Sequence, residues 1–247
     1  MKKMNPQLSL AAALLAMATL APLAQAEDKK PDDEISFNAA VTTDYRYRGI
    51  SQTRLKPALQ GGMDYVNNPT GFYAGTWLST IKWIKDIGGD GSIEMDIYGG
   101  KKGEIVKDVS YDVGGLYYLY PSNSLSPSAN TFELYGQVGY GPAYAKYSVS
   151  TTNLFGTANS KHSGYLDLGA NVDIATGLQL NLHFGHQTIK NNSAFSYSDY
   201  KLGVTKDFGV CSLALSIIGT SDADYAVSPD GKKLAKTAAV LLLSKTF

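Results

Sequence analysis

Residues 166–187 read LDLGANVDIATGLQLNLHFGHQ. Apolar residues recur at every second position on both sides of the short link 175–177. Side chains in a β-strand point alternately to opposite faces, so each half of the stretch predicts a strand with one apolar and one polar face. A link this short joins neighbouring antiparallel strands, and the stretch therefore predicts an antiparallel hairpin.

The same alternation recurs along the rest of the chain. The first predicted strand, 37–48, has Phe37 and Val41 on its apolar face and runs on through Tyr45 and Tyr47. Twelve such segments are found, near residues 37–48, 54–66, 72–79, 93–98, 109–119, 132–140, 143–150, 166–174, 178–187, 197–207, 210–219 and 235–247. Only the third leaves its face open, because large apolar residues occupy both of its faces. The sequence thus predicts an all-β protein.

The links between these segments alternate in length. Four links hold three to five residues: 67–71, 139–143, 175–177 and 207–209. Five are longer and polar: 80–91, 120–130, 151–162, 190–196 and 220–234. The link 99–108 breaks the rule, because its place in the order predicts a short turn and it has ten residues. Alternation of this kind is typical of outer-membrane barrels, which have short periplasmic turns and long external loops.

The apolar strand face points to lipid in a membrane barrel and to the core in a soluble one. Charged residues in mid-strand and aromatic residues at the strand ends favour the membrane barrel. The predicted outer girdle is Tyr45, Tyr47 and Phe184, and the predicted periplasmic girdle is Tyr65, Phe72, Tyr140, Phe208 and Phe247. We expect an antiparallel up-and-down transmembrane β-barrel of about 12 strands. A soluble all-β sandwich or barrel is the alternative.

The two ends of the chain indicate export. Residues 1–26 combine a basic start, an apolar run and an A-x-A cleavage site, and so predict a cleaved secretory signal peptide. Residues 27–35 are predicted to be a charged periplasmic tether, and residues 36–247 the barrel. The terminal Phe247 resembles the signal that the barrel assembly machinery reads in a last strand. We therefore expect a protein of the bacterial outer membrane, with its lipids and the assembly machinery as partners.

Composition excludes several classes of protein. Removal of the signal leaves 20 basic against 22 acidic residues, a formal charge of −2, so no nucleic-acid partner is expected. No apolar run of about 18 residues follows residue 26, which argues against a helical membrane span. The single cysteine, Cys211, cannot form an internal disulfide.

Four motifs carry a family resemblance. They are FNAAVTTDYRYRGISQ at 37–52, GFYAGTWLS at 71–79, IEMDIYGG at 93–100 and YDVGGLYYLYP at 111–121. Together they resemble the proteobacterial TorF-type porins, the group known as the Gcw_chp domain. The resemblance runs from about residue 36 to the C-terminus and implies an outer-membrane barrel with a pore. It carries over no catalytic or ligand-binding residue.

The polar strand faces predict the lining of the pore. By alternation, nine acidic residues face the lumen: Asp44, Asp64, Glu94, Asp96, Asp112, Glu133, Asp167, Asp173 and Asp199. Four basic residues face it as well: Arg46, Arg48, Lys146 and Lys201. The first strand would carry Asp44, Arg46 and Arg48 as a ladder, facing an acidic wall formed by Glu94, Asp96 and Glu133. The alternative is that the arginines pair with these acids and hold the shape of the barrel. The excess of five acids favours cations if the lumen is open. The function predicted for such a barrel is passive diffusion of small polar solutes or ions.

Two other functions remain open: a non-conducting barrel with a structural or adhesive role, and a barrel enzyme. His162 lies beside Ser163 in a predicted loop, whereas His183 and His186 lie three apart on one strand. Odd spacing puts the latter two on opposite faces, so they cannot share a metal ion. Two carboxylate pairs could serve a protease: Glu94 with Asp96, and Asp167 with Asp173. We expect no catalytic residue, cofactor or metal.

Overall fold

A computed structural model describes residues 31–247. The predicted signal peptide (1–26) and the start of the predicted tether lie outside the described residues. Among residues 31–247, no helix is long and apolar enough to cross a membrane.

The fold is a closed barrel of twelve antiparallel strands in sequence order. The barrel strands are β1 (Asp33–Thr42), β4 (Ala58–Asn67), β5 (Phe72–Thr80), β6 (Ile93–Val106), β7 (Val109–Leu119), β8 (Thr131–Tyr140), β9 (Ala143–Ser150), β10 (Gly164–Ala175), β11 (Leu178–Thr188), β12 (Tyr197–Asp207), β13 (Ser212–Thr220) and β14 (Ala238–Thr246). Two short strands, β2 (Arg46–Tyr47) and β3 (Ile50–Ser51), form a separate hairpin. A short helix, α1 (Trp83–Asp86), and a 3-10 turn (Ser193–Phe195) lie in connections. The predicted fold class is confirmed.

The first and last strands close the ring. β1 pairs with β4 on one side and with β14 on the other, for example Ala39 with Lys245. No sheet edge is left, so the backbone groups of every barrel strand have partners on both sides, as lipid requires. β1 begins at Asp33, inside the predicted tether 27–35, because Asp33–Ile35 already pair with β4.

The short and long connections fall at opposite ends of the barrel. The link 99–108, which was too long for the alternation of short and long links, consists mostly of strand residues. β6 and β7 pair as far as Val106 and Val109, with a bulge after Glu104, and only Lys107 and Asp108 form the turn. Glycines and charges made this part of the hairpin resemble a loop, although it is paired backbone. The short-turn end is therefore regular, and it corresponds to the periplasmic side of outer-membrane barrels.

The apolar faces of the strands point outward. Phe37 is 52% exposed and Leu202 is 53% exposed, whereas the residues that alternate with them face the interior. On β5, Phe72 and Leu78 are the outward residues. A soluble barrel would bury these side chains, so a continuous exposed apolar surface is explained by lipid.

Candidate functional site in the barrel interior

The connection between the first two barrel strands folds into the barrel. These residues, 43–57, are called the inward segment below. β2 and β3 pair within it, joined by Arg48 and Gly49, which have φ values of 45° and 82°. Two successive residues with positive φ are typical of a type I′ hairpin turn. A Cβ on Gly49 would lie 2.6 Å from Thr220 Cγ2, so the hairpin tip rests directly against the end of β13.

Arg48 at this tip bridges several strands. Its Nη2 donates to Glu133 Oε1 and Oε2 at 3.0 and 2.7 Å, and its Nη1 donates to Gln187 Oε1. The guanidinium also lies 4.0 Å from the centre of the Tyr165 ring, a cation–π distance. All these groups are buried, and Arg48 itself is only 7% exposed. The arginine therefore crosses the bore and ties β8, β10 and β11 to the inward segment.

The second arginine closes a local network. Arg46 Nε donates to Asp44 Oδ2 at 2.7 Å, and Ser51 Oγ donates to Asp44 Oδ1 at 2.5 Å. Arg46 Nη1 reaches the carbonyl of Lys236 at 2.7 Å, and the Ser51 amide donates to the Leu234 carbonyl at 3.0 Å. The inward segment is thus fastened to the last long connection, just before β14.

Two corrections to the sequence-based prediction follow. Asp44, Arg46 and Arg48 do not form a ladder on a barrel strand, because the chain leaves the wall after Thr42. Tyr45 and Tyr47 are not membrane-interface aromatics, and this prediction is wrong: Tyr45 is 4% exposed and lies inside the barrel.

Both tyrosines belong instead to an interior aromatic cluster. Tyr45 OH donates to Glu94 Oε1 at 2.7 Å, and its ring meets the Trp77 ring edge-on at 5.3 Å. Tyr47 OH donates to Tyr118 OH at 2.7 Å. Ile84 of α1 packs into the same cluster and is fully buried. The cluster fills the long-loop end of the bore.

Burial and neighbouring charges set the protonation of groups in the connections. Burial, followed by the Glu94 and Asp96 carboxylates, raises the pKa of Tyr45 well above its usual value. Burial is the largest single influence on the pKa of Arg48 and lowers it, but the Glu133 carboxylate together with Tyr47 and Tyr118 outweighs burial, so that pKa is raised. Both groups therefore keep their protons, Tyr45 as a neutral hydrogen-bond donor and Arg48 as a cation.

Glu94 and Asp96, on β6, lie on the inner wall and are 1% and 6% exposed. Neither forms an ion pair within residues 31–247, and the buried Asp96 Oδ1 has no hydrogen-bond partner there. The two carboxylates lie next to the aromatic cluster, so this region of the interior has acidic groups without basic partners.

A second polar cluster surrounds His183 on β11. Its Nδ1 lies 2.9 Å from Asp167 Oδ1, and its Nε2 lies 2.8 Å from Asp199 Oδ1. Tyr165 OH donates to Asp199 Oδ2 at 2.9 Å. His186 is exposed on the opposite face, as the odd spacing predicts, and its Nδ1 lies 2.9 Å from Ser198 Oγ.

The remaining predicted pore residues lie on the inner wall. Asp64 accepts a hydrogen bond from Tyr98 at 2.5 Å, and Asp112 accepts one from Tyr73 at 2.6 Å. Asp173 accepts a hydrogen bond from Gln179. Lys146 lies over the Tyr135 ring, and Lys201 lies on β12. The predicted girdle residues outside the inward segment, Tyr65, Phe72, Tyr140, Phe184, Phe208 and Phe247, are all exposed on the outer surface.

The predicted pore lining named charged residues only and left out the inward-facing tyrosines. Tyr98 is paired across the strands with Gly75, and Tyr144 with Gly169. A Cβ on Gly75 would lie 2.6 Å from the Tyr98 ring, so the ring occupies the space that a side chain at residue 75 would take. Two sequence signals point to this packing: alternation puts Tyr98 on the same face as Glu94 and Asp96, and the chain has 17 tyrosines and 25 glycines.

These features define a class: a twelve-stranded transmembrane barrel of the porin type, with an inward connection filling its long-loop end. A family model described as "Bacterial protein of unknown function (Gcw_chp)" matches residues 25–247. The chain therefore belongs to the Gcw_chp family, which confirms the resemblance seen in its motifs.

Solved structures share the fold at very low sequence identity. The KdgM porin has a TM-score of 0.54 and 4% identity, covering 86% of this chain and 97% of that chain. The NanC porin has a TM-score of 0.54 and 6% identity, covering 86% and 98%. LpxR from Salmonella typhimurium has a TM-score of only 0.43, with 11% identity over 86% of this chain and 99% of its own. No curated protein sequence matches the chain.

Proposed function

We propose that the protein is an outer-membrane channel for passive diffusion of small polar solutes or ions, narrowed by the inward segment. One observation carries this proposal: a charged interior is enclosed by a wall whose outer face is apolar. A polar interior within a lipid-facing barrel is the arrangement of water-filled pores. The porin fold supports the same function.

The charges of the interior favour cations. Arg46 is neutralised by Asp44, and Arg48 by Glu133. Of the nine acids and four bases assigned to the lumen, seven acids then remain against Lys146 and Lys201, with His183 bound between two of the acids. Charges in a confined passage decide which ions enter it, so an acidic surplus selects cations.

A second candidate function, a non-conducting barrel with a structural or adhesive role, is favoured by the packing of the long-loop end. Arg48, Glu133 and Gln187 are all buried there and bonded across the bore. If these contacts persist, solutes are excluded. The two functions therefore differ in whether the inward segment leaves a path for solutes through the barrel.

An enzymatic role is less well supported by the geometry. Both ring nitrogens of His183 contact carboxylates, so neither is free to activate a serine. His186 lies beside Ser198, yet no described residue hydrogen-bonds to its other ring nitrogen. An activated serine needs a base that a third group orients, and neither histidine meets this condition.

Conductance in planar lipid bilayers tests the proposal. The refolded chain is compared with a variant in which residues 45–52 are replaced by Gly and Ser residues of the same number, which removes the obstruction. We expect small, cation-selective steps for the native chain and larger steps for the variant. Arg54→Ala is the control, because Arg54 pairs with Asp86 in a neighbouring connection and not across the bore.

The outcomes separate the two functions. Steps from the native chain support a channel, and an increase on replacing 45–52 identifies the inward segment as the constriction. A silent native chain with a conducting variant supports the closed, non-conducting barrel. If both are silent although correctly folded, the channel proposal is refuted.

A further inference from the structure

Two connections at the long-loop end form a cleft between them. The connections are 151–163, between β9 and β10, and 189–196, between β11 and β12. The cleft has a volume of about 650 Å³ and is lined by Asn153, Asn159, Lys161, His162, Lys190 and Asn191. The lining thus offers two ammonium groups, an imidazole and three amides, and it includes no carboxylate.

The two lysines are not neutralised. Lys161 and Lys190 are exposed, and within residues 31–247 neither has a carboxylate partner. The last long connection shows the contrast: Lys232 pairs with Asp230 at 2.6 Å, and Lys233 pairs with Asp224 at 2.6 Å. The cleft therefore holds an uncompensated positive charge, which attracts anions.

The cleft is held in shape by hydrogen bonds between its two walls. Asn191 Nδ2 donates to the Asn159 carbonyl at 3.0 Å, and Asn192 Nδ2 donates to the Ala158 carbonyl at 3.1 Å. The Lys190 amide donates to Ser163 Oγ at 3.0 Å. A site ordered before binding loses less conformational entropy when a ligand arrives. The hydrogen-bonded backbone that holds Lys161 and Lys190 therefore favours binding.

We propose that this cleft binds a phosphate group, held by Lys161 and Lys190 with the amide side chains as further donors. A phosphate ester carries close to two negative charges and three strong acceptor oxygens at neutral pH. Two ammonium groups match that charge, and each offers three donors. This proposal does not depend on the proposed channel, because none of the six lining residues is among those assigned to the lumen.

Two sources of phosphate fit this chemistry. The cleft lies where β10 begins and β11 ends, at the long-loop end of the barrel. Basic pockets at other membrane surfaces bind phosphorylated lipid headgroups, and a lipid of the outer leaflet would present such a headgroup here. A phosphate ester dissolved outside the cell offers the same group. The shared recognition element is the phosphate.

Isothermal titration of the refolded mature chain with inorganic phosphate and with glucose 6-phosphate tests the site. We expect binding that weakens by about tenfold or more in Lys161→Ala/Lys190→Ala, because two charged donors are lost. The matched control, Lys232→Ala/Lys233→Ala, removes two lysines that already have partners and should bind as the native chain does. Heat-dependent mobility in SDS gels verifies that each variant is folded.

A second titration uses detergent micelles carrying lipid A, with or without its phosphates. Phosphate-dependent binding that the Lys161→Ala/Lys190→Ala variant loses supports the site and identifies a lipid headgroup as its ligand. Binding of the soluble phosphates alone supports the site and identifies a solute. The proposal is overturned if neither ligand class binds, or if the control pair of substitutions weakens binding as much as the cleft pair.

Discussion

Arg48 is the residue on which the interior of the barrel depends most. Its guanidinium contacts Glu133, Gln187 and the Tyr165 ring, which belong to three different strands. A buried ion pair of this kind contributes less by its attraction than it costs to break, because each partner left alone is an unpaired buried charge. The pair therefore constrains where the inward segment can lie.

We predict a strong coupling between Arg48 and Glu133. Arg48→Ala should lower the free energy of unfolding by about 3–5 kcal/mol, because it leaves the buried Glu133 without a cationic partner and with only the Tyr118 hydroxyl as a donor. Adding Glu133→Ala should recover part of the loss. Urea titrations of the four members of a double-mutant cycle in detergent measure the coupling. A loss below about 1 kcal/mol, as for exposed ion pairs, would show that the bore is filled with water.

The elements of the wall were predictable because alternation is a physical requirement of a strand between lipid and a polar interior. Residues 166–187 form β10 and β11 with the predicted faces and the predicted turn. The same rule failed at the inward segment. Tyr45 and Tyr47 alternate with Arg46 and Arg48, but alternation indicates only an extended backbone whose two faces meet different environments. It does not say whether that backbone belongs to the barrel wall or lies inside the barrel.

A local signal for the inward segment does exist. Arg48-Gly49 forms the turn, and the Gly at the second position is typical of a two-residue hairpin. Because residues 37–48 alternate as one continuous strand would, the turn at Arg48-Gly49 was not recognised from the sequence. The pairing of Arg48 with an acid of the opposite wall was one of the predicted outcomes, and Glu133 is that acid. The contacts with Gln187 and the Tyr165 ring were not predicted, since they depend on which distant strands face each other across the ring.

At the level of one strand, we predict that the two faces of β10 tolerate charge differently. Leu168 faces lipid near mid-strand, so Leu168→Arg should destabilise the barrel by about 2–4 kcal/mol if it lies near the bilayer midplane. Asn171 faces the interior and bonds to Asn181, so Asn171→Arg should cost less. Folding titrations into lipid vesicles compare the two, and an equal or larger cost at Asn171 would contradict the assignment of faces.

The whole molecule is an exported barrel in our interpretation, and its first residues lie outside the structure described. We predict that the protein in the outer membrane begins at Glu27, because the A-x-A site precedes it. N-terminal sequencing of the protein purified from the outer-membrane fraction measures this. An intact Met1 in that fraction would contradict the predicted cleavage.

The fastening of the inward segment to the end of the chain has a consequence for the order of folding. Arg46 and Ser51 bond to the carbonyls of Lys236 and Leu234, and the Thr43 amide bonds to that of Leu241 in β14. These acceptors lie in or just before β14, the last barrel strand, so a chain that has not yet added β14 cannot secure its own first connection. We infer that ring closure and filling of the bore occur as one cooperative event. A truncated barrel would then lack both the pairing of β1 with β14 and a fixed arrangement of the inward segment.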